Sequence, residues 1–229
     1  MKRVFKRLLK WLVMLVLLLV ASIVSSVLVF KYVSPPASSY MVREWFEGQH
    51  AQQYQWVPMD KIAHTMPLAV IASEDQKYLS HWGIDVQAIY QAVREYQSGE
   101  RLRGASTISQ QTVKNLFFWN SPSWWRKIAE VPVTPFAEWV WGKPRMMEIY
   151  LNVAEFGPGI YGVEAASQHY FNRSAAQLTQ QQAARLAAVL PNPKRFKADS
   201  QSGYVPNRVA WITRQMRQLG GVGYVKGLY

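Results

Sequence analysis

The sequence contains no cysteine. That absence excludes a disulfide framework, a thiol nucleophile and any metal site with cysteine ligands. Histidine is also scarce: His50, His64, His81 and His169 are scattered and form no His-Glu-x-x-His pair. The sequence therefore does not predict a zinc site. Repeats and low-complexity tracts are lacking too, so the chain does not read as a solenoid or a disordered segment.

Acidic residues are few, with 14 Asp and Glu against 26 Lys and Arg, for a net charge of +12. Five of the positive charges lie in the first ten residues, directly before Trp11–Phe30, which carries no charge. At about 1.5 Å per residue this run is long enough to cross a bilayer core. The basic flank should stay in the cytoplasm, which places the rest of the chain across the membrane. A cleaved signal peptide is the alternative, although its apolar core is usually only about 7 to 15 residues long.

These features predict a domain organisation. Residues 1–10 form a cytoplasmic basic tail, 11–30 a transmembrane helix, 31–40 a proline-containing linker and 41–229 a periplasmic domain. Without the leader the net charge is +7, which suits anionic lipid or diphosphate groups as well as nucleic acid.

Helical periodicity dominates the predicted domain, and strand signals are sparse. Helices are expected from Asp85 to Gly99, from near Ser106, from Pro144 to Gly157, from a Thr179–Gln182 capping box to Pro191, and up to Gly220. The sequence therefore predicts an all-α fold.

Two polar clusters interrupt this helical sequence, at residues 74–85 and 104–115. Such clusters are costly to bury without partners, so they indicate a site for a polar substrate. Glu74 lies just after the apolar run Pro67–Ala72. Partial burial at that position would suit its carboxylate to accept a proton. The alternative reading of Glu74 and Asp75 is a solvated acidic pair at a helix end.

The two clusters resemble the first two motifs of the peptidoglycan glycosyltransferases of glycosyltransferase family 51. Those motifs read E-D-x-x-F-x-x-H-x-G and G-x-S-T-I-x-Q-Q, and Tyr78 stands at the phenylalanine position. Residues 126–138 are similar to the third motif, R-K-x-x-E-x-x-x-A-x-x-x-E, with Thr134 where alanine is usual. Residues 148–152 and 162–171 are similar to the fourth and fifth, which we interpret as scaffold. The resemblance runs from about Pro67 to Pro193.

This resemblance implies a lysozyme-like, two-lobed glycosyltransferase domain behind one transmembrane helix, in the bacterial inner membrane. The implied enzyme polymerises lipid II into β-1,4-linked glycan with inversion and releases undecaprenyl diphosphate. Its partners would be lipid II, the growing lipid-linked glycan, membrane lipid and cell-wall synthesis or division proteins, but not nucleic acid. It requires no cofactor, although a Mg²⁺ or Mn²⁺ ion at the diphosphate fits the chemistry of phosphate oxygens.

The resemblance also implies roles for individual residues. Glu74 would be the catalytic base and Glu130 the second active-site carboxylate. The substrate-binding residues would be Asp75, Ser106, Thr107, Gln110, Gln111, Lys114, Asn115, Arg126 and Lys127. Supporting residues around the site would be His81, Asp85, Glu138 and Glu148.

Several alternatives stay open on the sequence alone. Lys114 could be an exposed helix lysine, and Glu130 could simply pair with Arg126 at i, i+4. Pro132 and Pro135 should break the third motif's helix, because an interior proline costs about 3 kcal/mol; otherwise Thr134 would cap and Pro135 would open a new helix. The rival functions are a lytic transglycosylase or lysozyme-like enzyme, which would cleave glycan, and an inactive cell-wall-binding scaffold.

An aromatic cluster falls between the second and third motifs. It could lie in the headgroup layer of the membrane or form a domain core. Its members are Trp119, Trp124, Trp125, Trp139 and Trp141 with Phe117, Phe118 and Phe136.

Overall fold

The computed structural model describes residues 2–48, 52–99, 106–118 and 124–229. The chain divides into two compact units, Met1–Pro35 and Pro36–Tyr229. The first contains α1 (Lys2–Phe30), whose most apolar window has a mean hydropathy of 3.0. Within the described ranges it is the one helix long and apolar enough to cross a membrane. The predicted spanning segment 11–30 lies inside it, and the exact domain boundaries stay a prediction.

The second unit is mainly helical, which confirms the predicted all-α class. Its helices are α2 (Ser39–Phe46), α3 (Thr65–Glu74), α4 (Val86–Gln97), α5 (Ile108–Phe117), α6 (Trp124–Val153), α7 (Val163–Phe171), α8 (Gln180–Val189) and α9 (Tyr204–Gln218). Short 3-10 turns occur at Met59–Lys61, Tyr78–Ser80, Ala175–Gln177 and Gly221–Leu228.

A small sheet, which the sequence did not predict, accompanies the helices. Its strands are β1 (Gln53–Tyr54), β2 (Glu155–Gly157) and β3 (Ile160–Tyr161), in the order β1-β3-β2. β3 pairs parallel with β1 and antiparallel with β2. The sheet begins its second strand with Glu155, two residues after the end of α6, and pairs Glu155 with Tyr161 of β3.

Helix α3 lies at the centre of the core. Its sequence is almost entirely apolar, and Met66 to Ala72 are all buried. The alanine-rich α8 packs against it together with α9, and small side chains allow the α3 and α8 backbones to approach closely. Full burial of a side chain such as Leu68 or Ile71 stabilises the fold by roughly 1.5–3 kcal/mol. Glu74 therefore projects from the end of a rigid element.

The predicted helix ends are largely confirmed. The Asp85 side chain caps α4 by accepting a hydrogen bond from the Ala88 amide, and Thr179 and Gln182 form the predicted capping box of α8. Helix α9 ends immediately before the Gly220 region. The apolar face predicted for α4, however, is exposed: Val86 is 71% and Tyr90 64% accessible.

The predicted break at Pro132 and Pro135 is wrong, because α6 continues through both prolines. Each proline removes a bond to the carbonyl four residues earlier. Those carbonyls belong to Ile128 and Val131, which lie on the exposed face of the helix, where water can serve as donor.

The helix instead breaks at Gly142, whose φ of 67° and ψ of 172° are not helical. Glycine adopts this positive φ without the steric cost that a Cβ would bring. The helix predicted to start near Pro144 is thus the second half of α6. It ends at Val153, not at Gly157.

Candidate active site

Glu74 is the last residue of α3 and is half-buried. Its Oε2 accepts a hydrogen bond from Gln111 Nε2 at 3.0 Å, and its Oε1 accepts one from Ser73 Oγ at 3.2 Å. Gln111 Oε1 in turn accepts from the hydroxyl of buried Tyr150 at 3.1 Å. Because that hydroxyl fixes the amide orientation, the Glu74 carboxylate is held in one position by neutral donors.

Asp75, the neighbour of Glu74, is buried and occupied by the protein. His81 Nε2 lies 3.1 and 3.0 Å from its two carboxylate oxygens. The Ile108 amide donates to Oδ2 at 3.1 Å. These contacts join the end of α3 to His81 and to the start of α5, and the supporting role expected for His81 stays a prediction. The contact of Asp75 with substrate, expected from the resemblance, stays a prediction.

The start of α5 is fixed by a capping box. Thr107 Oγ1 accepts from the Gln110 amide at 3.1 Å, and Gln110 Oε1 accepts from the Thr107 amide at 3.0 Å. The Thr107 hydroxyl also donates to the Gly83 carbonyl. Both side chains thus have structural partners, and their predicted contact with substrate is not tested by these bonds.

Lys114 lies one turn beyond Gln110 on α5, and its side chain is largely withdrawn from water. Burial lowers the pKa of its ammonium group, and the positive charge of Arg126 lowers it further. Glu130 and Glu74 act in the opposite direction. Lys114 on α5 is therefore within electrostatic range of Glu74 on α3 and of Arg126 and Glu130 on α6. The alternative of an exposed helix lysine is excluded.

Arg126 and Glu130 form an i, i+4 ion pair at the start of α6, and both side chains are almost buried. Burial raises the pKa of the Glu130 carboxyl, while Arg126, Lys114 and Lys127 lower it. The ion-pair interpretation of Glu130 is thus correct in geometry, and it does not remove Glu130 from the site. Lys127 is exposed, with Nζ 6.0 Å from the ring centre of Trp124.

Glu138, the last acid of the third motif, is the centre of a buried polar network. Its Oε1 accepts from the Gly83 amide at 2.8 Å and pairs with Lys143 Nζ at 2.9 Å, while Oε2 accepts from Ser109 Oγ. Lys143 lies 4.2 Å from the ring centre of buried Tyr78, and burial lowers the pKa of its ammonium group. This network locks the first-motif loop to α5 and α6, and Lys143 was missed by the sequence reasoning.

The hydrogen-bonded residues Glu74 and Gln111 line two different cavities. A smaller one, of about 200 Å³, is lined by Glu74, Ser106, Asp85 and their neighbours. A larger one, of about 370 Å³, is lined by Gln111 and the residues around it. The expected site residues on its wall are Gln111, Lys114 and Asn115, joined by Tyr40, Tyr150, Glu155, Tyr161 and Lys194. Each residue of the bonded pair thus lines one cavity, an arrangement that suits a transfer between two bound substrates.

The remaining expected residues line neither cavity. Among them, Glu148 pairs with Arg145 at 2.6 Å, and burial raises the pKa of its carboxyl.

Glu155 lines the larger cavity but was not predicted from the sequence. The one signal available there was that Glu155 is a single acid in the apolar stretch Val153–Phe156.

The structure separates the members of the aromatic cluster. Trp124, Trp125 and Trp139 are between 71 and 80% exposed. Trp141 and Phe118 are buried and belong to the core. Trp119 lies outside the described residues. The exposed members are thus compatible with a lipid headgroup environment, and the buried ones are not.

A helical domain in which carboxylates and cations from several helices lie close to cavities is typical of enzymes that transfer or cleave glycosidic bonds. Comparison with known proteins agrees with this class. The Transglycosylase family model matches residues 40–217. A biosynthetic peptidoglycan transglycosylase from Pectobacterium atrosepticum is 51% identical over 207 residues, covering 87% of this chain and 84% of that protein. Proteins of the same name from Pasteurella multocida and Yersinia pestis are 52% and 47% identical, the latter covering 99% of this chain. The chain belongs to the transglycosylase family.

Proposed function

We propose that this chain is a peptidoglycan glycosyltransferase that polymerises lipid II into β-1,4-linked glycan strands and releases undecaprenyl diphosphate. The observation that carries the proposal is the surroundings of Lys114, where the Arg126–Glu130 ion pair of α6 and the Glu74 carboxylate of α3 all act on its ammonium group. A base for a sugar hydroxyl and cations for a diphosphate are the two elements that the reaction needs. The names of the relatives favour synthesis of peptidoglycan over its cleavage.

Glu74 is the proposed base. In the reaction, the 4-hydroxyl oxygen of lipid II attacks the anomeric carbon of the growing chain, and its proton passes to the Glu74 carboxylate. The bond between that carbon and the diphosphate oxygen breaks, and the electron pair leaves with the diphosphate. The attack from the opposite side inverts the anomeric centre. The hydrogen bond from Gln111 orients the base for this step.

Lys114 and Arg126 are the proposed cations that stabilise the leaving diphosphate. Ammonium and guanidinium groups make charge-assisted hydrogen bonds to phosphate oxygens. Because Lys114 is desolvated, its attraction to developing negative charge is stronger than it would be in water. Glu130 holds Arg126 in place through their ion pair, and exposed Lys127 extends the positive surface. The smaller cavity beside Glu74 would take the acceptor sugar, and the larger one the donor.

The proposed location is the inner membrane of a bacterium, with α1 as anchor and the domain in the periplasm. The apolar helix and its basic N-terminal flank support this orientation. Among the described residues no group of three His, Asp or Glu side chains is arranged to hold a metal ion. A divalent cation at the diphosphate therefore stays a prediction, and no step above depends on it. Other cell-wall synthesis or division proteins are expected partners.

The test is polymerisation of labelled lipid II by the full-length chain in detergent or vesicles. Glu74→Gln keeps the volume of the side chain and an oxygen for the Gln111 bond but cannot accept the proton. We expect the rate to fall roughly 10²–10⁴-fold, the usual contribution of a general base. Glu95→Gln is the matched control, because Glu95 is a carboxylate on α4 that lines neither cavity.

Three results separate the proposed function from its rivals. Loss of polymer with Glu74→Gln alone supports the assignment of the base, whereas unchanged polymerisation refutes it. Shortening of preformed glycan by the unmodified chain would instead identify a lytic enzyme. If neither reaction occurs, the chain is a binding scaffold.

A further inference from the structure

A second group of polar residues lies on the wall of the larger cavity and takes no part in the chemistry above. Glu155 follows α6, Tyr161 belongs to β3, and Lys194 follows α8. They share this cavity with Gln111 and Lys114, so a molecule bound at the catalytic groove would also meet them.

The charges in this group do not balance when every acid is ionised. Buried Glu44 on α2 forms an ion pair with Lys194. Glu155 also faces Lys194, so two carboxylates compete for one ammonium group. Because like charges at close range disfavour double ionisation, the group is neutral only when one carboxyl carries a proton.

Glu155 is the carboxyl that takes this proton. Burial raises its pKa to about 7, and the charge of Glu44 acts in the same direction. Lys194 and a hydrogen bond from the Gly159 amide act against them. The remaining titratable groups that face Glu155 are the hydroxyls of Tyr40 on α2, Tyr161 on β3 and Tyr170 on α7.

Glu155 Oε1 is buried and lacks a hydrogen-bond partner among the described residues. The hydroxyl of fully buried Tyr161 and the Glu44 carboxylate face each other, and their hydrogen bonding is incomplete. Leaving such groups unpaired costs on the order of 1–3 kcal/mol each, so an unpaired group on a cavity wall indicates a ligand that completes it.

We propose that Glu155, Tyr161 and Lys194 form a saccharide-binding subsite in which Glu155 carries a proton and donates it in a hydrogen bond to a neutral oxygen of the glycan. This inference rests on the proposed glycosyltransferase function and assigns a binding residue to that site. A protonated carboxyl offers one donor and one acceptor, which matches a sugar hydroxyl or the carbonyl of an acetamido group.

The neighbouring side chains favour a sugar over an anion at this position. Asn115, Asn192 and the rings of Tyr40 and Tyr150 supply the amides and aromatic faces with which proteins bind carbohydrate. A volume of about 370 Å³ accommodates sugar rings. A diphosphate would be held better near Lys114 and Arg126, which offer two cations, than near Lys194, which is paired with buried Glu44. The Glu155 end therefore selects uncharged groups.

The experiment measures binding of chitotetraose, a neutral N-acetylglucosamine oligomer, to the full-length chain in detergent by calorimetry. Titrations at about pH 6 and about pH 8.5 bracket the raised carboxyl pKa. We expect the affinity of the unmodified chain to be roughly three- to tenfold weaker at the higher pH, the loss of about one hydrogen bond. Glu155→Gln keeps a donor at every pH, so its affinity should be equal at both. Glu95→Gln should keep the pH dependence of the unmodified chain.

Two further variants keep the proposal testable if Glu155→Gln folds poorly. Lys194→Gln removes the cation that lowers the Glu155 pKa, so the loss of affinity should move to higher pH. Tyr161→Phe removes a hydroxyl of the subsite that faces Glu44, so it should weaken chitotetraose binding at both pH values.

The proposal is overturned if chitotetraose does not bind at about pH 6, or if the unmodified chain and Glu155→Gln show the same pH dependence. Inorganic pyrophosphate serves as the anionic comparison, and its affinity should respond to Lys114→Met but not to Glu155→Gln. Polymerisation of lipid II is measured in parallel. A chain that polymerises but shows no effect of Glu155 refutes only the subsite, whereas a chain that does not polymerise refutes the proposed function.

Discussion

Replacing Glu138 by glutamine should destabilise the domain strongly, because the buried network around this carboxylate depends on its charge. Glu138 is only 1% exposed, and it is paired with Lys143. Glutamine can still accept from the Gly83 amide, but it leaves the Lys143 ammonium group without its countercharge. Breaking a buried ion pair in this way costs about 3–5 kcal/mol. Since the Lys143 side chain is 19% exposed and partly hydrated, we expect a value near the lower end of that range.

The assay is chemical denaturation of the full-length chain in detergent, followed by tryptophan fluorescence. It gives the free energy of unfolding directly. In thermal unfolding, a loss of about 3 kcal/mol corresponds to a fall in the melting temperature of roughly 6–12 °C for a domain of this size. The double variant Glu138→Leu with Lys143→Met removes both charges and should recover much of the loss, because hydrophobic replacement of a buried pair is often neutral. The reasoning fails if Glu138→Gln costs under about 1 kcal/mol, or if the double variant is no more stable than the single one.

Two further predictions concern the groove and the first-motif loop. Lys114→Met should lower the polymerisation rate roughly 10²–10³-fold, as loss of an electrostatic donor does, without loss of stability, because burial already disfavours the charged lysine; a normal rate would remove Lys114 from the mechanism. Gly83 has a φ of +73°, and an added Cβ would lie 3.2 Å from Thr134 Cγ2 and 3.3 Å from the Pro135 backbone. Gly83→Ala should therefore unfold more readily than its control Gly99→Ala, which has a φ of +90° but no atom within 4 Å of the added carbon. Equal midpoints for the two in denaturant titration would show that crowding at Gly83 costs nothing.

The sequence predicted those parts of the site that depend on local geometry. Gln111 and Lys114 are three residues apart on one helix, so helical periodicity alone places them on the same face. The position of Glu74 followed from the apolar run that ends at it. In both cases neighbours in the sequence are neighbours in space, and pattern reasoning is sufficient.

It did not predict contacts that depend on distant parts of the chain. Glu44, Glu155 and Lys194 come from three separate elements, and no periodicity relates them. Their charge competition exists only after the chain has folded. Glu138 and Lys143 are five residues apart, a spacing that does not place side chains together on an unbroken helix. They meet because α6 breaks at Gly142, between them.

The break at Gly142 is also what allows α6 to support both sides of Gln111. Glu138, before the break, accepts from Ser109 Oγ, whereas Tyr150, after it, donates to Gln111. Ser109 and Gln111 are about 3 Å apart along the axis of α5, but Glu138 and Tyr150 would be about 18 Å apart along a straight helix. Side chains that reach only a few ångströms along the axis do not span that difference. The non-helical backbone at Gly142 changes the course of the helix between them, so that a single helix both locks the start of α5 and orients the amide that holds Glu74.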